Sequence, residues 1–196
     1  PVYVVRGNHE NDVPNGLPVW LNFFGITSND LTYSFTYSNA FFVALDEFTN
    51  QIHRVNQPWL DAQLAGNTLP HVFVFGHEPA FKAFHTDCLD DYPTERDAFW
   101  TSLRNAGAKV YLCGHDHFFN VARIDNDLYQ FIVGTGGTTN WPVQKYNYNG
   151  SNTTHTLVNF ANGTNTYGYL LAEINDRDVT LTWKRRTYDT NTATYL

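Results

Sequence analysis

Short apolar runs, bounded by polar and glycine-containing segments, punctuate the chain and set its predicted elements. Residues 1–5, Pro-Val-Tyr-Val-Val, read as a buried strand running into a turn at Gly7-Asn8-His9-Glu10. An aromatic loop follows, with Trp20, Phe23 and Phe24 between turn residues. Residues 31–37 and 41–45 carry a strand pattern and are joined at Ser38-Asn39-Ala40 as a hairpin. Trp59, Leu60 and Leu64 recur at helical spacing over residues 57–65, with Pro58 at the start and Gly66 at the end. Residues 72–75 and 109–112 are short apolar strands. Between them Phe99, Trp100 and Leu103 mark a helix that stops near Gly107, with Thr94 and Asp97 resembling an N-terminal cap. Strands over 119–124 and 129–133 lead to Gly134-Thr-Gly-Gly137, and a last hairpin, 167–174 with 179–188, turns at Asn175-Asp176-Arg177. Helices between short apolar strands, followed by antiparallel hairpins, predict a mixed α/β class.

Composition narrows this picture. The 196 residues are 42% apolar, enough for a core of one domain. No apolar run is long enough to span a bilayer. A formal charge of -7 argues against a nucleic-acid backbone binder. The basic cluster Lys184, Arg185 and Arg186 reads as a solvated strand edge. Two cysteines make no disulfide framework, and Cys113 at the end of an apolar strand reads as a reduced core thiol. The chain begins at Pro1 and holds no methionine, which reads as trimming from a longer polypeptide. Asn149-Gly-Ser, Asn152-Thr-Thr and Asn162-Gly-Thr fit the glycosylation acceptor pattern and lean toward a secreted or periplasmic protein.

Three polar segments share one position. Gly7-Asn8-His9-Glu10, Gly76-His77-Glu78-Pro79 and Gly114-His115-Asp116-His117 each follow directly on a short apolar run. Ligand sites of open α/β sheets collect beyond the carboxyl ends of strands, so Asn8, His77, His115 and His117 are expected to converge. Imidazole suits zinc, iron, nickel and copper, whereas amide or carboxylate oxygens suit harder cations. A mixed set of this kind suits first-row metals used for hydrolysis. Gly-His-Asp-His also places two imidazoles at i and i+2, on one side of an extended backbone.

These segments, taken with Val5-Arg6 and Phe75 before them, resemble the last three motifs of the calcineurin-like metallophosphoesterases. The resemblance extends to Tyr167-Gly-Tyr-Leu-Leu171 and to the strand ending at Trp183, which look most like purple acid phosphatases and nearby bacterial phosphohydrolases. It implies a layered β-sandwich flanked by helices, with residues 1–196 forming the C-terminal part of a single domain. It also implies two metal ions (iron, zinc or manganese), one held by Asn8, His77 and His115 and the other by His117. His9 would be the non-ligand histidine that meets the phosphate and leaving group, with Glu10 holding it in orientation. His85 lies where some relatives have a substrate-contacting histidine. The family's first two motifs, which carry the bridging aspartate, have no counterpart in residues 1–7.

The activity so implied is hydrolysis of a small phosphoester, phosphomonoesterase or acid-phosphatase in kind. Two-metal sites of this sort lower the pKa of a bound water, and the resulting hydroxide attacks phosphorus in line. A phosphodiesterase of the same fold and a non-catalytic module are the alternatives. Gly134-Thr-Gly-Gly137 could cradle an anion with backbone amides, although a glycine-rich turn closing the strand is the simpler reading.

Overall fold

Along neighbouring strands Phe41, Val43, Val72 and Val74 join one apolar cluster, while Ala40, Phe42 and Phe73 join another. That period-2 alternation builds a sheet with both faces covered. A computed structural model describes residues 1–49, 51–137, 155–163, 167–186, 188–189 and 194–195; the acceptor triplets at Asn149 and Asn152 lie outside them. The strands are β1 (Tyr33–Tyr37), β2 (Ala40–Ala44), β3 (His71–Phe75), β4 (Val110–Cys113), β5 (Phe119–Ile124), β6 (Leu128–Val133) and β7 (Leu157–Gly163). They form one seven-stranded sheet in the order β1-β2-β3-β4-β6-β5-β7. β2, β3, β4 and β6 run parallel, so their carboxyl ends emerge along one edge of the sheet. β1, β5 and β7 pair antiparallel at the flanks.

Two helices cover one face. α3 (Gln57–Ala65) follows the β2 end, and α4 (Pro93–Asn105) follows β3. Leu60 and Leu64 of α3, with Phe99, Trp100 and Leu103 of α4, are buried against Val43, Val74, Tyr111 and Ile132. On the other face lies the hairpin β8 (Gly168–Asn175) and β9 (Asp178–Arg185). It sets Ile174 and Leu181 against Phe73 and Val110, and Trp183 stacks on Phe119 at 4.1 Å between ring centroids. The result is the layered α/β architecture that the motifs implied. A further short pair, β10 (Tyr188–Asp189) with β11 (Thr194–Tyr195), stands apart from the main sheet.

Several elements differ from the sequence reading. Residues 1–7 form no strand, and Val2 is 82% exposed. A β-branched run has strand propensity, but a strand also needs a ladder; here Val4 O accepts from the Tyr33 hydroxyl and Tyr3 stacks on Phe35. Gly-Asn-His-Glu opens a short helix, α1 (Asn8–Asp12), rather than a turn. The aromatic loop is a helix, α2 (Gly16–Phe24), on which no residue is buried. Pro18 stands in its first turn, where a backbone N–H has no intrahelical partner to lose. Thr94 does not cap α4, which begins at Pro93 with Tyr92 before it. β7 was not foreseen.

Candidate metal centre

Asn8 is placed by the residues around it. Arg6, almost fully buried, forms a two-pronged pair with Asp46, Nε to Oδ1 at 2.7 Å and Nη2 to Oδ2 at 2.9 Å. Asp46 also accepts from Thr49 N, and its own amide donates to Thr32 Oγ1, so the β2 end holds the segment before α1. Glu10 Oε2 accepts from Gly7 N at 2.8 Å, closing the first turn of α1 in the manner of a capping box. Gly7 must be glycine for packing reasons: a Cβ there would sit 2.8 Å from Cε1 of the His77 ring.

His77 leaves the end of β3 with its backbone fixed from below. Fully buried Glu47 accepts from His77 N at 2.9 Å and from Glu78 N at 2.7 Å. The Tyr111 hydroxyl donates to Glu47 Oε1 at 2.7 Å. A Cβ on Gly76 would collide with that same carboxylate. Glu78, also buried, meets His53 Nδ1 at 2.7 Å. Burial pushes both the Glu47 and the Glu78 carboxyl upward.

His115 leaves the end of β4 in the left-handed region, φ 63°, a conformation uncommon outside glycine. Gly114 N donates to His77 O at 2.9 Å, so the two strand ends are stitched together. Asp116, with no exposed surface, accepts from Phe84 N at 3.0 Å and His85 N at 2.9 Å. A Cβ on Gly134, beyond β6, would land on the Asp116 carbonyl.

His77 Nε2 thereby stands between two further donor atoms. Asn8 Oδ1 lies 3.0 Å from His77 Nε2, which lies 3.2 Å from His115 Nδ1. One proton can bridge only one of these two contacts. A cation between the atoms satisfies both. Bonds near 2.1 Å place donors roughly 3.0 Å apart at right angles and about 3.4 Å apart tetrahedrally, which brackets the observed spacing. Burial, then the neighbouring imidazoles of His115, His9, His117 and His85, lower His77 to about 3. His115 is lowered to about 4, by burial first and His85 second. Both rings are therefore neutral near pH 7, the state in which imidazole ligates. Among the described residues no three His, Cys, Asp or Glu side chains gather alone around one point; the third donor here is an amide oxygen. Asn8, His77 and His115 fit one first-row metal ion.

The trio opens into a cavity of about 410 Å³, also lined by His9, His85, His117 and Gly134, Gly136 and Gly137. His9 is exposed at its rim. The His85 ring centroid lies 4.1 Å from that of His115 and 6.3 Å from that of His117. The candidate metal, acid and substrate residues Asn8, His9, His77, His85, His115 and His117 thus line one cavity, and Glu10 does not. Asp46, Glu47, Tyr111 and the contacts of Asp116 were missed. For Asp46 and Glu47 a signal existed, because two acids directly follow the apolar run that ends at Leu45.

A family model of calcineurin-like phosphoesterases matches residues 1–119. The chain belongs to that family. Solved structures agree at the level of fold. The calcineurin-like chain is similar to a purple acid phosphatase from yellow lupin (Lupinus luteus) seeds at 17% identity and a TM-score of 0.64, covering 92% of this chain and 38% of the lupin chain. It is also similar to GAP50, the anchor in the inner membrane complex of Plasmodium, at 18% identity and a TM-score of 0.59, covering 81% of this chain and 51% of that one. The chain therefore spans about two fifths and one half of these two proteins. No curated protein sequence matches it. Among the described residues no helix is long and apolar enough to cross a membrane.

Proposed function

We propose that this chain carries part of the active site of a metal-dependent phosphoester hydrolase acting on small phosphomonoesters, as an acid phosphatase does. The observation that carries the reading is that His77 Nε2, beyond the carboxyl end of β3, lies 3.0 Å from Asn8 Oδ1 at the start of α1 and 3.2 Å from His115 Nδ1 beyond the parallel strand β4. Those three would hold one ion of iron, zinc or manganese, and His117 would contribute to a second. When bound, the ions supply charge to the phosphoryl oxygens and activate water. His9, exposed on the same cavity, would hand a proton to the departing alkoxide. Glu10 steadies the turn from which His9 projects, through its bond to Gly7 N. His85 faces the same space and contacts the substrate's phosphoryl oxygens. Export to a secreted or periplasmic location belongs to the same reading, supported by the three acceptor triplets.

The test is a comparison of leaving groups in the intact, metal-loaded protein. His9→Ala retains its metal but lowers kcat by about 10²–10⁴ on alkyl phosphates, and by much less on p-nitrophenyl phosphate, whose leaving group needs little proton donation. Equal losses on both would remove His9 from the acid role. Absence of phosphatase turnover in the metal-loaded wild type would remove the function itself.

A further inference from the structure

Asp116 stands between two candidate metal ligands, His115 and His117, yet its carboxylate turns away from the metal donors into the protein. There it has no exposed surface and accepts from two consecutive backbone amides, Phe84 N at Oδ2 and His85 N at Oδ1. His85 Nδ1 lies 2.9 Å from the same Oδ1. The loop gives something back: Asp87 Oδ1 approaches His115 Nε2 at 3.7 Å. Residues 84–87 contain no helix or strand, so a clasp of this kind supplies order that a ladder would otherwise give. Its consequence is the placement of the His85 ring beside His115, on the wall of the cavity. Gly134 leaves the room in which the Asp116 backbone sits.

We propose that Asp116 is a positioning residue whose buried carboxylate docks the loop of residues 84–87 onto the Gly-His-Asp-His segment, fixing His85 as a contact for phosphoryl oxygens. The segment then does two things at once: its histidines face the metals while its aspartate sets the histidine that meets the substrate. The proposal deepens the phosphohydrolase reading and rests on it for the identity of the ligand. The placement of His85 rests on geometry alone.

The experiment uses the intact, zinc-loaded protein as wild type, Asp116→Asn, His85→Ala and the double variant. Probes are p-nitrophenyl phosphate and, as a competitive ligand, inorganic phosphate. Each single variant is expected to raise KM and the phosphate inhibition constant by about threefold to tenfold, with kcat changed less and zinc content unchanged. The double variant is expected to be no worse than His85→Ala, because coupled residues are not additive. Effects that multiply in the double variant would overturn the proposal, as would Asp116→Asn binding phosphate like wild type. The imidazole NMR spectrum separates this from failure of the enzymatic reading. If the wild type hydrolyses nothing, the function falls, while the His85 ring resonance must still shift on Asp116→Asn. An unmoved resonance would overturn the positioning role. If Asp116→Asn does not fold, deuterium exchange in the wild type decides: the Phe84 and His85 amides are expected to exchange slowly, and exchange at the rate of an open loop would refute the clasp.

Discussion

His77 Nε2 has two neighbours that it cannot both satisfy, and the surroundings hold it there regardless. Gly7 packs against one side of its ring, Glu47 holds its amide, and Asn8 and His115 meet its outer nitrogen. Such supporting contacts are what fix a ligand's direction, and disturbing them typically costs about 10- to 100-fold in metal affinity. Gly7→Ala is the smallest change that does so. Its Cβ would stand 2.8 Å from the ring, closer than real contacts allow, so the imidazole or its neighbours must shift. Zinc affinity, measured by competition with a chelating dye, should fall by about that factor in Gly7→Ala. Unchanged affinity would show that the ring is not confined as described. Motif residues made Asn8, His77, His115 and His117 legible in the sequence. Their supports were not legible, because Glu47 and Tyr111 come from different strands and meet only through the parallel register of β2, β3 and β4.

Elements with strong internal patterns were read well, and elements defined by their neighbours were not. α3 and the hairpin β8–β9 were found because periodicity and turn residues are local signals. Residues 1–7 carry strand propensity without a ladder, and α2 is a helix whose apolar side chains are not buried, so pattern and outcome part company in both. β7 was missed because its pairing with β5 is a tertiary event. The β5–β6 turn shows how that pairing is secured. In this three-residue connection Asp125 and Asn126 both have positive φ and Asp127 N donates to Ile124 O, the turn geometry whose twist matches a hairpin. Asp125 N donates to Thr156 O, Thr156 N donates back to Asp125 Oδ1, and His155 Nδ1 sits 2.5 Å from Oδ2. Burial pushes the Asp125 carboxyl up, but the bonds from His155 and the Thr156 amide outweigh it, with Arg104 adding to them, and the net shift is downward from 3.8. A depressed carboxyl contributes stability that is fully present above about pH 4 and lost as pH falls through its folded value. The difference in Tm between wild type and Asp125→Asn should therefore be constant from about pH 6 to 5 and close below about pH 4. A gap that persists to about pH 2 would mean that Asp125 acts by shape rather than charge.

At the scale of the molecule, the layers exist to bring strand ends to one edge. Apolar side chains from α3 and α4 on one face, and from β8–β9 on the other, fix β2, β3 and β4 in register. The loops that leave those strands then have little freedom in where they place Glu47, His77 and His115. The fold is shared with the lupin purple acid phosphatase at 17% identity. It also sets what the chain can bind. Among the described residues, Asn8 Oδ1 and His115 Nδ1 both flank His77 Nε2, and the proposed second ion would have His117 alone, on the same cavity. A single imidazole does not hold a metal tightly, since working sites provide three protein ligands or more. Calorimetric titration of residues 1–196 with zinc asks directly whether Asn8, His77 and His115 bind a metal ion. One zinc ion per chain is expected, lost in His77→Ala and retained in His71→Ala, whose histidine begins β3 at the opposite end of the strand. No uptake by the wild type, or equal uptake by His77→Ala, would contradict it.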